Sequence, residues 1–146
     1  MIRALALVSW LTLVAACADA LPMTVRGPTR LHAGPSVEYP AIVALPPGMV
    51  VDAYGCVEGY AWCDVRFGAY RGWVFGPTLY AAYRGRPRPL LEVGAALGVG
   101  LVAFSVADYW NRYYVGRPWY RRYYGAWAAR PAPGYWPRGY ARPVPR

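Results

Sequence analysis

The chain offers little with which to make or break bonds. It has one histidine, His32, three cysteines, at positions 17, 56 and 63, and seven carboxylates, against sixteen basic side chains that are all arginine. Covalent catalysis needs a nucleophile, a base within reach of it and a third group to orient the base. His32 has no such partner at a recognisable spacing and reads as a partly exposed loop residue. There is no nucleophile elbow, phosphate loop or zinc-type histidine pair, and the acids are too few and scattered to nominate a carboxylate couple. No catalytic residue, metal ligand or cofactor is expected, and the chain reads as a binding protein.

Two sets of residues still carry chemistry. The first is the cysteines. The stretch MIRALALVSWLTLVAACADA has a positive end at Arg3, an uncharged run and then small residues, which is the pattern of an export signal over residues 1–20. Ala18 and Ala20 favour cleavage before Leu21; the alternative is a lipobox ending in a lipidated Cys17. Either way Cys56 and Cys63 remain as a pair, and in an exported chain such a pair is expected to be a disulfide. Closing so short a loop removes about 2.5 kcal/mol of unfolded-state freedom.

The second set is the arginines, which are unevenly placed. Residues 21–83 hold Arg26, Arg30, Arg66 and Arg71 against Glu38, Asp52, Glu58 and Asp64, summing to zero. Residues 84–146 hold eleven arginines against Glu92 and Asp108, summing to +9. Within that cationic part, YWNRYYVGRPWYRRYYGAW (residues 109–127) interleaves guanidinium groups with rings. Arg pairs with phosphate or carboxylate while aromatic rings stack on sugars or sit at a lipid interface. The same mixture suits single-stranded nucleic acid, but an export signal argues against that partner. Arg112, Arg117, Arg121 and Arg122, with Tyr113 and Tyr123, are the candidate contacts to an anionic lipid or polymer.

The elements that must position these residues read as all-β in residues 23–83. Short β-rich runs alternate with Gly and Pro, and no helical period is convincing. Strands are expected at 41–45, 49–54, 61–67 and 71–75, with Gly27 and Pro28 interrupting the first run of the domain. In residues 61–67, Trp62, Asp64 and Arg66 fall on one face and Cys63, Val65 and Phe67 on the other, and the second set is expected to face the core. Cys56 and Cys63 then flank a hairpin loop.

AGPSVEYPAIVALPPG (residues 33–48), GC at 55–56, WCDVRFG at 62–68 and RGWV at 71–74 together resemble the bacterial SH3 domain family, in particular exported members with a cysteine pair at these positions. The likeness spans about 60 of the 146 residues. It departs at His32, where the family usually has a basic residue, most often Arg, two places before Gly34-Pro35. The resemblance implies a small SH3-like barrel of about five strands and a module that docks onto cell-wall peptides, glycans or envelope proteins. If the barrel binds in this way, aromatic loop residues supply contact area at low entropic cost. Tyr39, Tyr60, Trp62 and Tyr70 are the candidates, while Trp73 is expected to pack.

Residues 84–89 (RGRPRP) read as an extended linker, with a domain boundary near Tyr83. Residues 90–107 are apolar apart from Glu92. As one helix they would span about 27 Å, just short of a bilayer core. Three glycines and Glu92 favour a strip packed on the barrel over a membrane anchor. Residues 130–146 are rich in Pro, Gly and Arg and are expected to be disordered. The division is thus a signal (1–20), an SH3-like domain (21–83), a linker, apolar segment and Arg/Tyr-rich extension (84–129) and a tail (130–146). The function expected is that of an exported periplasmic or envelope binding protein; the alternative is a membrane-anchored or structural envelope component.

Overall fold

The structure is a computed structural model that describes residues 19–141. Residues 1–18, which hold Cys17 and all but the last two residues of the expected export signal (1–20), and residues 142–146 lie outside the described part.

Eight strands form one antiparallel sheet: β1 (Leu21–Val25), β2 (Thr29–His32), β3 (Ala41–Leu45), β4 (Val50–Cys56), β5 (Trp62–Phe67), β6 (Tyr70–Phe75), β7 (Leu79–Tyr83) and β8 (Arg86–Pro89). Their order is β3-β2-β6-β5-β4-β1-β7-β8, so β3 and β8 are edges and the sheet is not closed. The expectation was about five strands in a barrel. The additional strands come from both sides of the expected core: β1 and β2 flank the Gly27-Pro28 interruption, and β7 continues through a turn at Arg84 and Gly85 into β8. Residues 84–89, expected as an extended linker, are part of a paired hairpin, with Tyr83 opposite Arg86. The prolines of β8 suit an edge, since they cannot donate to a further strand.

Alternation places the main core where the sequence puts it. Cys63, Val65 and Val74 turn inward with Met23, Val25, Leu31, Leu45, Val51 and Leu79. In β4 the register shifts between Ala53 and Gly55, leaving Tyr54 as an extra residue. A bulge of this kind reverses the inward-outward parity of the strand. Val51 and Ala53 before it, and Cys56 after it, therefore all reach the same core, and Cys56 stands directly opposite Cys63. The two are disulfide-bonded with Cα atoms 4.0 Å apart, and both are fully buried.

Beyond β8 the chain does not form one long helix. Residues 90–107 fold as a helical turn, α1 (Leu90–Val93), then further turns and an extended stretch. Leu90 and Val93 cap the main core, and Leu97 and Val99 pack at its edge. Gly100 and Val102 bracket Cys56: its N–H donates to the Gly100 carbonyl at 3.0 Å, and the Val102 N–H donates to its carbonyl at 2.8 Å. No helix among the described residues is long and apolar enough to cross a membrane.

Two helices follow, α2 (Val106–Tyr113) and α3 (Tyr120–Ala128). Ser105 caps α2, accepting from the Asp108 N–H at 3.1 Å. Val106, Tyr109, Trp110, Tyr113 and Tyr114 fall at i, i+3, i+4, i+7 and i+8, the spacing of one helical face. All pack against the sheet.

Candidate functional site

The outward face of β5 and β6 is built by alternation from Trp62 opposite Phe75, Asp64 opposite Trp73 and Arg66 opposite Arg71. The chain must run close here. A Cβ on Gly72 would stand 2.6 Å from the His32 carbonyl oxygen, so glycine lets β2 and β6 meet. On a bare sheet this face would be an aromatic platform. Instead α2, α3 and residues 135–140 cover it and make a second core with Ala33, Tyr39, Val57 and Ala61.

Each covering element is tied by a directed bond. The Trp110 indole N–H donates to the Ala33 carbonyl at 2.8 Å, and the Tyr114 hydroxyl donates to the Arg71 carbonyl at 2.8 Å. The Trp62 indole N–H donates to the Tyr135 carbonyl at 2.6 Å. Trp136 and Tyr140 stack on one another and meet Phe75 edge-on. Disorder was expected from residue 130; Tyr135 and Trp136 instead pack on this second core, where the Tyr135 carbonyl takes the Trp62 indole N–H, and the rings of Trp136 and the exposed Tyr140 meet Phe75. The Tyr120 hydroxyl donates to Asn111 Oδ1, joining α3 to α2.

At the centre lies a charged cluster. Arg71 forms a two-pronged pair with Asp64, at 2.7 and 2.6 Å, and its guanidinium sits over the rings of Tyr54 and Tyr113 at 3.7 and 4.7 Å. The Tyr109 hydroxyl donates to Asp64 Oδ1 at 2.5 Å. Burial, reinforced by the Asp64 charge, pushes the Tyr109 and Tyr114 hydroxyls far above the usual tyrosine range, so both remain donors. Burial opposes the Arg71 charge, but the bond to Asp64 and its charge outweigh that and hold the guanidinium cationic. Beside this cluster a cavity of about 450 Å³ opens between β5–β6, residues 102–105 and α2.

Of the four expected platform residues, the structure takes two out of reach. Tyr39 is 3% exposed, packed on Trp127 and Phe104, and Trp62 is 1% exposed beneath residues 135–136. Burial, then Tyr135 and Glu38, raise the Tyr39 hydroxyl to about 12. Tyr60 is half-buried, its hydroxyl donating to the Val99 carbonyl at 3.4 Å. Tyr70 is exposed, with Arg117 over its ring. The four do not form one open surface. His32 is likewise structural: its Nδ1 faces the Tyr39 carbonyl at 2.9 Å and must carry the proton there, and its ring meets Trp62 edge-on. Burial lowers its basicity, so it is neutral near pH 7.

The expected tail contacts separate by face. Arg112, Arg121, Arg122 and Tyr123 are exposed, and none of the three arginines has an acidic partner among the described residues. Arg117 is half-buried and donates to the Ala69 carbonyl at 3.3 Å, and Tyr113 is half-buried under Arg71. Sequence reasoning missed the Asp64–Arg71–Tyr109 cluster. Alternation placed Asp64 outward, but nothing local said that a helix some forty-five residues later would lie over it.

Residues 27–80 match the family model of the bacterial SH3 domain. No curated protein and no solved structure matches the chain.

Proposed function

With a bacterial SH3 domain at residues 27–80 as its core, we propose that the protein is an exported envelope component that works by binding and not by catalysis. The domain and its extension recognise a cell-wall peptide, glycan or envelope protein in the periplasm. The outward arginines hold the molecule at anionic lipid or wall polymer.

The observation that carries this reading is the sorting of side chains on α2 and α3. Apart from the exposed Tyr123, their rings pack inward, and Arg112, Arg121 and Arg122 turn outward without acidic partners among the described residues. Packing accounts for the inward rings, whereas among the described residues the three charges have no ion pair, and only Arg122 has a ring partner, the exposed Tyr123. A buried Cys56–Cys63 disulfide fits an oxidising compartment. The alternative of an anchor at residues 90–107 loses support, since Leu90, Val93, Leu97 and Val99 are spent on the main core.

Cosedimentation with purified sacculi and with anionic vesicles, across a salt series, tests the proposal. Exposed charges are screened beyond about 8 Å at physiological ionic strength, so binding should fall as salt rises. Replacing Arg112, Arg121 and Arg122 together by Gln should abolish most of it while thermal unfolding stays near that of the parent. Salt-insensitive binding that survives all three changes would refute the surface role.

A further inference from the structure

We propose that the cavity between α2 and the β5–β6 face is a binding site for a zwitterionic, amino-acid-like group: an ammonium and a carboxylate carried on a short aliphatic chain. The inference rests on the reading of the protein as a binder of cell-wall peptide, and it names the part of such a peptide that the cavity would take.

Four charged side chains line the cavity, and they sum to zero. Asp64 and Arg71 neutralise one another through their two-pronged pair. Asp108 and Arg112 do not. They are four residues apart on one face of α2, about 6 Å along the axis, a spacing at which such residues commonly pair. Here they do not pair: the Ser105 hydroxyl donates to Asp108 Oδ2 at 2.7 Å, at the start of the helix. Asp108 Oδ1 is left without a donor among the described residues, and Arg112 is left without any acceptor or ring partner among them. The rim thus offers one anion and one cation held apart. A simple anion would satisfy Arg112 but sit beside Asp108, and a simple cation would meet the reverse. A ligand bearing both charges meets both.

The walls fit the remainder of such a ligand. Trp73, Phe104 and Tyr109 give an apolar lining for methylene groups. Trp73 is 1% exposed, and its indole N–H has no acceptor among the described residues. The nitrogen itself is buried, so its resonance reports changes in the cavity wall and not a direct contact with the ligand. The volume lies within the range of about 300–1,000 Å³ typical of small-molecule sites and exceeds the needs of a single small amino acid. It suits a diamino acid or a dipeptide.

The test uses the mature protein and three probes related by their carbon chain: meso-diaminopimelate, which is doubly zwitterionic; pimelate, which has only the carboxylates; and cadaverine, which has only the amines. Nitrogen-15 spectra report each tryptophan indole separately, with Trp73 assigned by Trp73→Phe. Meso-diaminopimelate is expected to bind saturably and to shift the Trp73 indole signal, while pimelate and cadaverine bind at least about tenfold more weakly, the loss of one charge-assisted contact. Arg112→Gln and Asp108→Asn, both at exposed positions, should each weaken binding by a similar factor without altering the rest of the spectrum. Equal binding of pimelate, or binding unchanged by both substitutions, would overturn the zwitterion site, as would no saturable shift by about 10 mM. Sacculus binding is measured on the same samples. If it persists when diaminopimelate fails to bind, the cavity assignment falls and the envelope reading stands. If diaminopimelate binds but sacculi do not, the site stands and the envelope reading falls.

Discussion

Replacing Trp110 with Ala is expected to weaken the whole molecule, although the residue lies well outside the SH3 segment. Trp110 is fully buried and meets Tyr114 and Trp119 edge-on at 6.0 and 5.1 Å between ring centres. Truncating a buried tryptophan to alanine costs about 3–5 kcal/mol. Leaving the Ala33 carbonyl without its indole donor adds about 1 kcal/mol. The sum, about 4–6 kcal/mol, is a large share of the roughly 5–15 kcal/mol that holds a small domain together. Trp110 shares its core with Tyr39, Trp62 and Trp73, which stand on the sheet and the loop after β2. The loss should therefore appear in the unfolding of the sheet as well as in that of α2. Urea unfolding followed by tryptophan fluorescence and far-ultraviolet circular dichroism should give one transition at a much lower midpoint. The exposed control Tyr123→Ala should move it by less than about 0.5 kcal/mol. A shift below about 1 kcal/mol for Trp110→Ala would refute the reasoning. So would release of the extension with the sheet transition unmoved, which would show that the second core does not stabilise the SH3 fold.

Asp64→Ala strips Arg71 and Tyr109 of their shared acceptor and should cost about 3–5 kcal/mol, as expected when one partner of a largely buried pair is removed; a loss below about 1 kcal/mol in the same urea assay would contradict that. Reducing the Cys56–Cys63 bond should lower stability by about 2.5 kcal/mol, and neither cysteine should alkylate before reductant is added; free alkylation of the native protein would refute the pairing. His32 has its basicity lowered by burial, so the unfolded chain takes up a proton near pH 6.5 that the fold resists. Its contribution is complete above that pH and is lost as pH falls below it, down to the lowered folded value. The melting temperature should drop between pH 7.5 and 5.5, and His32→Gln should flatten the drop; an unchanged pH profile in that variant would count against it.

Local alternation was sufficient to find β3 to β6, because a period of two with Gly and Pro punctuation survives without tertiary context. It also put Cys63 and Val65 in the core and Trp62 and Asp64 on the opposite face, as observed. The first face of α2 was also legible: Val106, Tyr109, Trp110, Tyr113 and Tyr114 follow a helical spacing, and Ser105 with Asp108 marks its start. Residues 135–140 gave no such signal, since a Pro- and Gly-rich stretch orders only when rings such as Trp62 and Phe75 are already in place to receive it.

The sequence alone determined the charge division at residue 84, the cysteine pair and the β segments at the centre of the SH3 domain, because each depends on composition or on neighbours a few residues apart. Only the tertiary structure decided which aromatic residues remain available. Trp62 and Tyr39 have the composition of a binding platform, yet the rings of α2, α3 and the tail occupy that face first, since burying ring against ring removes more apolar surface from water than leaving both exposed. The Tyr54 bulge is a second case. Unbroken alternation would send Cys56 away from Val51 and Ala53, and a single extra residue in β4, visible only in its pairing with β5, turns it back to face Cys63.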